Sequence, residues 1–357
     1  MRQSPIDPTA EGAFSYLRGR RVLVTGACGT IGQQLSRQLL EQFEVEALIG
    51  LDHNESELAF LQEHYASKRN ARFRLGDVRD LSVLMRETRN IDVIFHAAAY
   101  KHVYICEHSP LEAIQTNVLG VQNVVQAAME NGVERLVFTS SDKAVNPTNV
   151  MGTSKLMGER LITAAALDPN RARPIFLSTR FGNVLGSRGS VIPIFREQIR
   201  NGGPVTLTDP EMTRFIMSVD DAVRLVIESA VLAQPGDVLI TKMDAIRIAD
   251  LAEVMVRSYA PVCGRQPGDL EIKVIGPKPG EKLYEELMNE EETRRSVELE
   301  RYFVVRPALS PPGEKQAHYE GAVNQRVECP YNSANIPPLS QSEIAAFLKH
   351  NGLIEGH

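Results

Sequence analysis

The sequence predicts an α/β fold, a doubly wound parallel sheet with a smaller mixed α/β lobe after it. Three observations carry this expectation. Short β-rich runs alternate with longer helical patterns from Arg20 to about Phe181, the first run ends in three spaced glycines, and the runs lie too far apart for hairpins. Strands joined through helices of that length imply right-handed crossovers, and hence a parallel sheet.

The runs are 21–25, 47–52, 72–75, 93–96, 136–140 and 175–181. Between the first two, Ile31, Leu35, Leu39 and Phe43 recur every four residues, one apolar face of a helix. Val118, Val121, Val125 and Ala128 repeat that spacing over 117–129. After Gly182 the rhythm degrades into shorter elements, as a smaller lobe requires, and 308–338 is Pro-rich and reads as extended chain wrapped over a surface. The expected division is an N-terminal extension (1–18), a Rossmann-type nucleotide-binding domain (19–184), a partly interleaved substrate lobe (185–345) and a tail (346–357).

Of 357 residues, 39 are Lys or Arg and 45 Asp or Glu, a net charge of −6, so nothing advertises a nucleic-acid partner. No window approaches 18 uncharged apolar residues, so no membrane span is expected. The polar first twenty residues, with Pro5 and Pro8, hold no apolar signal core. Cys28, Cys106, Cys263 and Cys329 form no Cys-x-x-Cys pair, which argues against a disulfide scaffold or zinc site and suits a reducing cytoplasm. His96, His102 and His108 are spaced by six and share no helix face, so no metal is expected.

Gly26-Ala27-Cys28-Gly29-Thr30-Ile31-Gly32 closes the first strand and opens a helix. Gly26 suits a tight turn, Gly29 lets backbone N–H groups approach a pyrophosphate, and Gly32 lets helix and sheet pack closely. The helix N-terminus then faces the anion, with Thr30 and Ile31 beside it. Asp52 ends the next strand twenty residues beyond Gly32, where a carboxylate accepts from ribose hydroxyls. No Arg follows it within six residues, so NAD is read over NADP; a helix cap is the alternative reading of Asp52. Asp77 and Val78 follow the third strand, as an adenine contact or a plain turn. Ala97 and Ala98 end the fourth, leaving room for a cofactor or serving close packing.

The fifth strand ends in Ser140-Ser141-Asp142-Lys143, with Met151 eight residues on and Lys155 a helical turn later. This arrangement resembles the extended short-chain dehydrogenase/reductases, and within them the UDP-N-acetylglucosamine 4,6-dehydratase group of surface-polysaccharide synthesis. The shared stretches are 24–32, Ala-Ala-Tyr-Lys-His-Val (98–103), Ser-Ser-Asp-Lys-Ala-Val-Asn-Pro-Thr-Asn-Val-Met-Gly-Thr-Ser-Lys (140–155), Arg-Phe-Gly-Asn-Val (180–184), Asp-Pro-Glu-Met-Thr-Arg (209–214) and Pro-Gly-Glu-Lys (279–282). The resemblance implies oxidation of the sugar at carbon 4, loss of water across carbons 5 and 6, and return of the hydride to carbon 6. Lys143 would be the base at carbon 5, made effective because a ketone at carbon 4 acidifies that proton. Asp142 would be the acid for the departing hydroxyl. Burial would help both roles and their mutual ion pair would oppose them.

The wider superfamily carries Tyr where this chain has Met151. A thioether cannot take a proton, so the resemblance leaves Lys155, with Ser141 beside it, for the nicotinamide ribose and proton relay, and the base at the 4-hydroxyl open. On the substrate side it implies Lys101, His102, Asn183 and Glu281, with Arg180, Arg188, Arg214 and Lys282 as candidate cations for a UDP or GDP sugar. Glu112 and Glu159 read as solvated helix charges. The resemblance implies a homo-oligomer, to which 118–128 could supply one helix, although core burial explains that segment as well. It also implies a soluble form, since long relatives carry membrane helices ahead of this domain and here about twenty polar residues precede the first strand. A 4-epimerase or dehydrogenase on a similar sugar is the alternative, and a non-catalytic dinucleotide sensor the third.

Overall fold

The computed structural model describes residues 8–168, 174–187, 189–276, 280–309, 319 and 321–354. The first six strands are β1 (Arg21–Thr25), β2 (Ala47–Asp52), β3 (Ala71–Leu75), β4 (Val93–His96), β5 (Arg135–Thr139) and β6 (Ile175–Arg180). They lie in the order β3-β2-β1-β4-β5-β6, all parallel. The order reverses at β1, so the crevice beyond the carboxyl ends of β1 and β4 is where such a sheet binds ligands.

Among the described residues, ten further strands come from the second half. They are β7 (Asn183–Val184), β8 (Val205–Leu207), β9 (Thr213–Met217), β10 (Val238–Thr241), β11 (Asp244–Arg247), β12 (Ile272–Val274), β13 (Glu286–Met288), β14 (Ser296–Glu298), β15 (Tyr302–Val305) and β16 (Tyr331–Asn332). Three of them extend the sheet beyond β6: β10 is parallel to β6, β15 pairs antiparallel with β10, and β14 pairs antiparallel with β15. The others form small sheets, β11-β9-β7, β12-β8 and β13-β16.

Strand alternation divides the core. Val22 and Val24 pack with Leu35 and Leu39 of helix Thr30–Gln42 and with Val223 and Val226 of helix Val219–Leu232. Leu23 points the other way, among Val121 and Val124 of helix Gly120–Glu130 and Ile162 of helix Val150–Ala166. A separate apolar cluster, including Ile192, Leu251 and Leu348, holds the lobe's helices Val191–Arg200, Ile248–Tyr259 and Gln341–His350 together.

Two segments differ from the sequence expectation. The polar N-terminal stretch is helical over Pro8–Leu17, and Ala13 and Leu17 are fully buried in the main core. The helix expected over 117–129 opens with a π-helical turn, Gln115–Leu119, before its α-helical part. Within 308–338, residues 310–318 and 320 lie outside the described residues, while Tyr319 and Tyr331 are buried. Among the described residues no helix is long and apolar enough to cross a membrane.

Candidate active site

Gly26 leaves β1 with φ +70°, a conformation that L side chains rarely adopt, and a Cβ there would meet Ala98 N at 2.6 Å. A Cβ on Gly32 would collide with the Gly26 carbonyl oxygen. The turn therefore lies hard against Ala97 and Ala98, so small residues there serve packing as well as room. Asp52 Oδ2 accepts from Cys28 N at 2.9 Å and Oδ1 from Asn54 N at 3.0 Å, which ties the turn to the end of β2. Asp77 accepts from Arg79 Nη2 at 2.6 Å; burial pushes its carboxyl up, but the guanidinium outweighs this and holds it below the ordinary range. A cavity of about 700 Å³ runs along these groups, from Gly29 to Ile31, Asp52, Asp77 and Val78, on to Met151 and Lys155. In its wall the buried hydroxyls of Thr116 and Ser140 have no hydrogen-bond partner among the described residues.

A second cavity, about 330 Å³, opens into the lobe, and Asp142, Lys143 and Asn183 line both. Lys143 Nζ donates to Asp142 Oδ2 at 2.9 Å, and Ser141 Oγ donates to Oδ1 at 2.6 Å. Burial pushes the Asp142 carboxyl up, yet Lys143 and Ser141 outweigh it and hold it below the ordinary range. Burial likewise lowers the Lys143 ammonium, and Asp142 and Glu285 more than reverse that. Both directions favour an ion pair at rest, neighbouring charge outweighing burial.

Glu285, which no sequence signal singled out, completes this cluster. Its Oε1 lies 3.5 Å from Lys143 Nζ and 3.3 Å from Arg214 Nε, and accepts from Asn183 Nδ2 at 2.9 Å. Burial, and then the Asp142 carboxylate, push its carboxyl up to about 7 against the two cations. Glu281, the residue expected from the Pro-Gly-Glu-Lys stretch, lines the same cavity but is exposed.

Helix Val150–Ala166 begins at Asn149, whose side chain accepts from Gly152 N at 2.8 Å. Met151 in its first turn is 3% exposed and packs with Cys106 and Ala113. One turn on, Lys155 is buried, and its Nζ donates to the Thr139 carbonyl at 2.9 Å. Burial lowers it to about 8. Asn117, in the π-helical turn, holds both Tyr100 backbone groups and Ser154 Oγ, bracing this helix from the far side.

The remaining expectations fare unevenly. Lys101 and His102 are exposed at the edge of the larger cavity. Arg188 lies outside the described residues. Lys282 Nζ is engaged by the Val145 carbonyl and Glu286. Arg180 is not a phosphate contact: it is 1% exposed and forms paired hydrogen bonds to both Glu159 and Glu292. Glu159 is correspondingly 3% exposed rather than solvated, because two buried carboxylates need the one guanidinium between them. Glu112 is exposed and pairs with Arg79. Among the described residues no group of His, Cys, Asp or Glu could hold a metal ion.

A sequence family described as "Polysaccharide biosynthesis protein" matches residues 22–307. An uncharacterized membrane protein of Methanocaldococcus jannaschii is 46% identical over 94% of this chain and 97% of its own. A UDP-N-acetylglucosamine 4,6-dehydratase (inverting) of Campylobacter jejuni is 35% identical over 93% and 98%, and a UDP-glucose 4-epimerase of Rickettsia canadensis 34% identical over 92% and 95%. The crystal structure of Pen from Bacillus thuringiensis superposes with a TM-score of 0.86 at 39% identity, covering 94% of this chain and 99% of that one. With its glycine turn, its 3-2-1-4-5-6 sheet and these relatives along nearly its whole length, the chain belongs to the polysaccharide biosynthesis family of extended short-chain dehydrogenase/reductases.

Proposed function

We propose that the protein is an NAD-dependent 4,6-dehydratase of a nucleoside-diphosphate N-acetylhexosamine, a UDP-N-acetylglucosamine-type sugar. The observation that carries this reading is the Asp142–Lys143 pair at the junction of the two cavities. The larger cavity fits a dinucleotide. Gly26 and Gly32 form a cradle that any Cβ would fill, a helix N-terminus opens at Thr30, Asp52 ends β2 where a ribose would lie, and the Thr116 and Ser140 hydroxyls lack partners among the described residues. Gly26, Gly29, Gly32 and Asp52 would hold the adenosine diphosphate part, and Lys155 the nicotinamide ribose. When bound, NAD supplies oxidation at carbon 4 and reduction at carbon 6.

The chain's own groups move the protons. Lys155, lowered to about 8, relays the proton of the 4-hydroxyl, a role that Met151 cannot fill. Lys143 then takes the proton from carbon 5, and Asp142 gives one to the hydroxyl leaving carbon 6. The resting ion pair and the neutral pair that this step needs differ only by one proton shifted along the 2.9 Å hydrogen bond. A sugar sealing the cavity removes water, disfavours charge and draws the pair toward the neutral form. Arg214 and Asn183 face the diphosphate side. Tyr104, Ile105, Leu111 and Met157 are each exposed, on helices Val103–His108, Pro110–Ile114 and Val150–Ala166, the first two of which pack against the third, and this supports a homo-oligomer.

The second reading, a 4-epimerase, draws on the Rickettsia relative. Incubation with UDP-N-acetylglucosamine and mass spectrometry separates the two. A product lighter by one water is expected, whereas an altered sugar of unchanged mass would install the epimerase reading instead.

A further inference from the structure

We infer that Glu285 is a positioning residue that takes up a proton as the substrate's diphosphate arrives, so releasing Arg214 to the anion and Lys143 to act as a base. The inference rests on the dehydratase reading for its chemistry and on the following geometry for its placement.

Glu285 is held from every side. Its N donates to Ser333 Oγ at 3.0 Å, and its carbonyl accepts from Ser333 N at 2.9 Å. Phe215 N, on β9, donates to Oε2 at 3.2 Å, while Asn183, on β7, donates to Oε1. The charged groups facing the carboxyl are Lys143 and Asp142 from the turn after β5 and Arg214 from β9. Glu285 therefore stands between the cation expected to meet the diphosphate and the amine expected to take the carbon-5 proton.

The sign follows from the charges. Ionised Glu285 makes the group of four neutral, and its carboxylate competes with an incoming diphosphate for Arg214. It also adds a second anion beside Lys143, which stabilises the ammonium and so keeps the amine from being free to accept a proton. Protonated Glu285 removes both effects. The proton comes from solvent, and by linkage proton binding and anion binding strengthen each other. A carboxyl raised to about 7 by burial and Asp142 can make this exchange near neutral pH.

The test has two parts. UDP binding is measured by titration calorimetry just above neutral pH in two buffers of different ionisation enthalpy, which yields the protons taken up. Wild type should take up a proton fraction, and Glu285→Gln none; no uptake by wild type, or equal uptake by both, would overturn the inference. The wild-type measurement stands even if the variant misfolds. The second part compares pH profiles of kcat/KM. The Lys155 ionisation is common to both proteins, so the ratio of wild type to the Gln variant isolates Glu285, and it should fall by about tenfold per pH unit above the Glu285 ionisation. A ratio that rises through the same range would make the ionised carboxylate the working form and sink the proposal. Uptake on UDP binding without any water-loss product would leave the role of Glu285 standing and remove the dehydratase reading alone.

Discussion

Lys155 Nζ and the Thr139 carbonyl oxygen are joined by a 2.9 Å hydrogen bond at the floor of the larger cavity. The amine also sits 4.8 Å from the centre of the Phe138 ring. Burial keeps its ionisation at about 8, below the ordinary 10.5. Between those values the unfolded chain binds the proton and the folded chain does not, so this group makes stability rise with pH across that window. Denaturant unfolding of wild type and Lys155→Met should diverge there, wild type gaining on the variant as pH rises from about 8 to 10.5. Parallel curves would contradict the assignment.

Arg180 supports the fold and does not bind phosphate. Replacing it by Met leaves the carboxylates of Glu159 and Glu292 buried without their cation, at a cost of about 3–5 kcal/mol. Chemical denaturation should register that loss. A stable variant with only a raised KM would restore the phosphate role.

Lys143→Ala should lower water loss by about 10²–10⁴-fold, the usual contribution of a general base. The protein should still bind UDP, because the variant keeps Arg214 and Asn183. Product mass and calorimetry check the two halves, and near-normal product formation would move the base elsewhere.

Met151→Tyr, which introduces the residue that the resemblance leads one to expect here, should not raise the rate. Met151 is packed among Cys106 and Ala113, and a phenol in that space overpacks it by about 1–3 kcal/mol. Steady-state rates and melting temperature test this together. A faster enzyme would show that a phenol at this position can take over the relay.

Gly26→Ala should abolish NAD binding. The added methyl group meets backbone at Ala98 and forces a left-handed φ on an L residue. Fluorescence or calorimetric titration with NAD measures the loss, and unchanged affinity would remove the glycine cradle from the cofactor site.

What could be read from the sequence alone was local. The glycine turn, Asp52, Asp142-Lys143 and Lys155 each lie within a strand-turn-helix unit, where spacing along the chain dictates spacing in space. The six parallel strands were legible for the same reason, since each apolar run and following helix is a contiguous pattern. Tertiary structure decided everything that depends on distant residues meeting. Arg180 meets Glu292 across 112 positions and Glu285 meets Asn183 across 102, and no local pattern encodes either encounter. Arg180 and Glu159 look like surface charges in sequence, because a side chain's burial is set by the elements packed over it. The same holds for charge state. Whether Asp142 and Lys143 rest as ions depended on the balance of desolvation and neighbouring charge, and that balance exists only once the chain has folded around them.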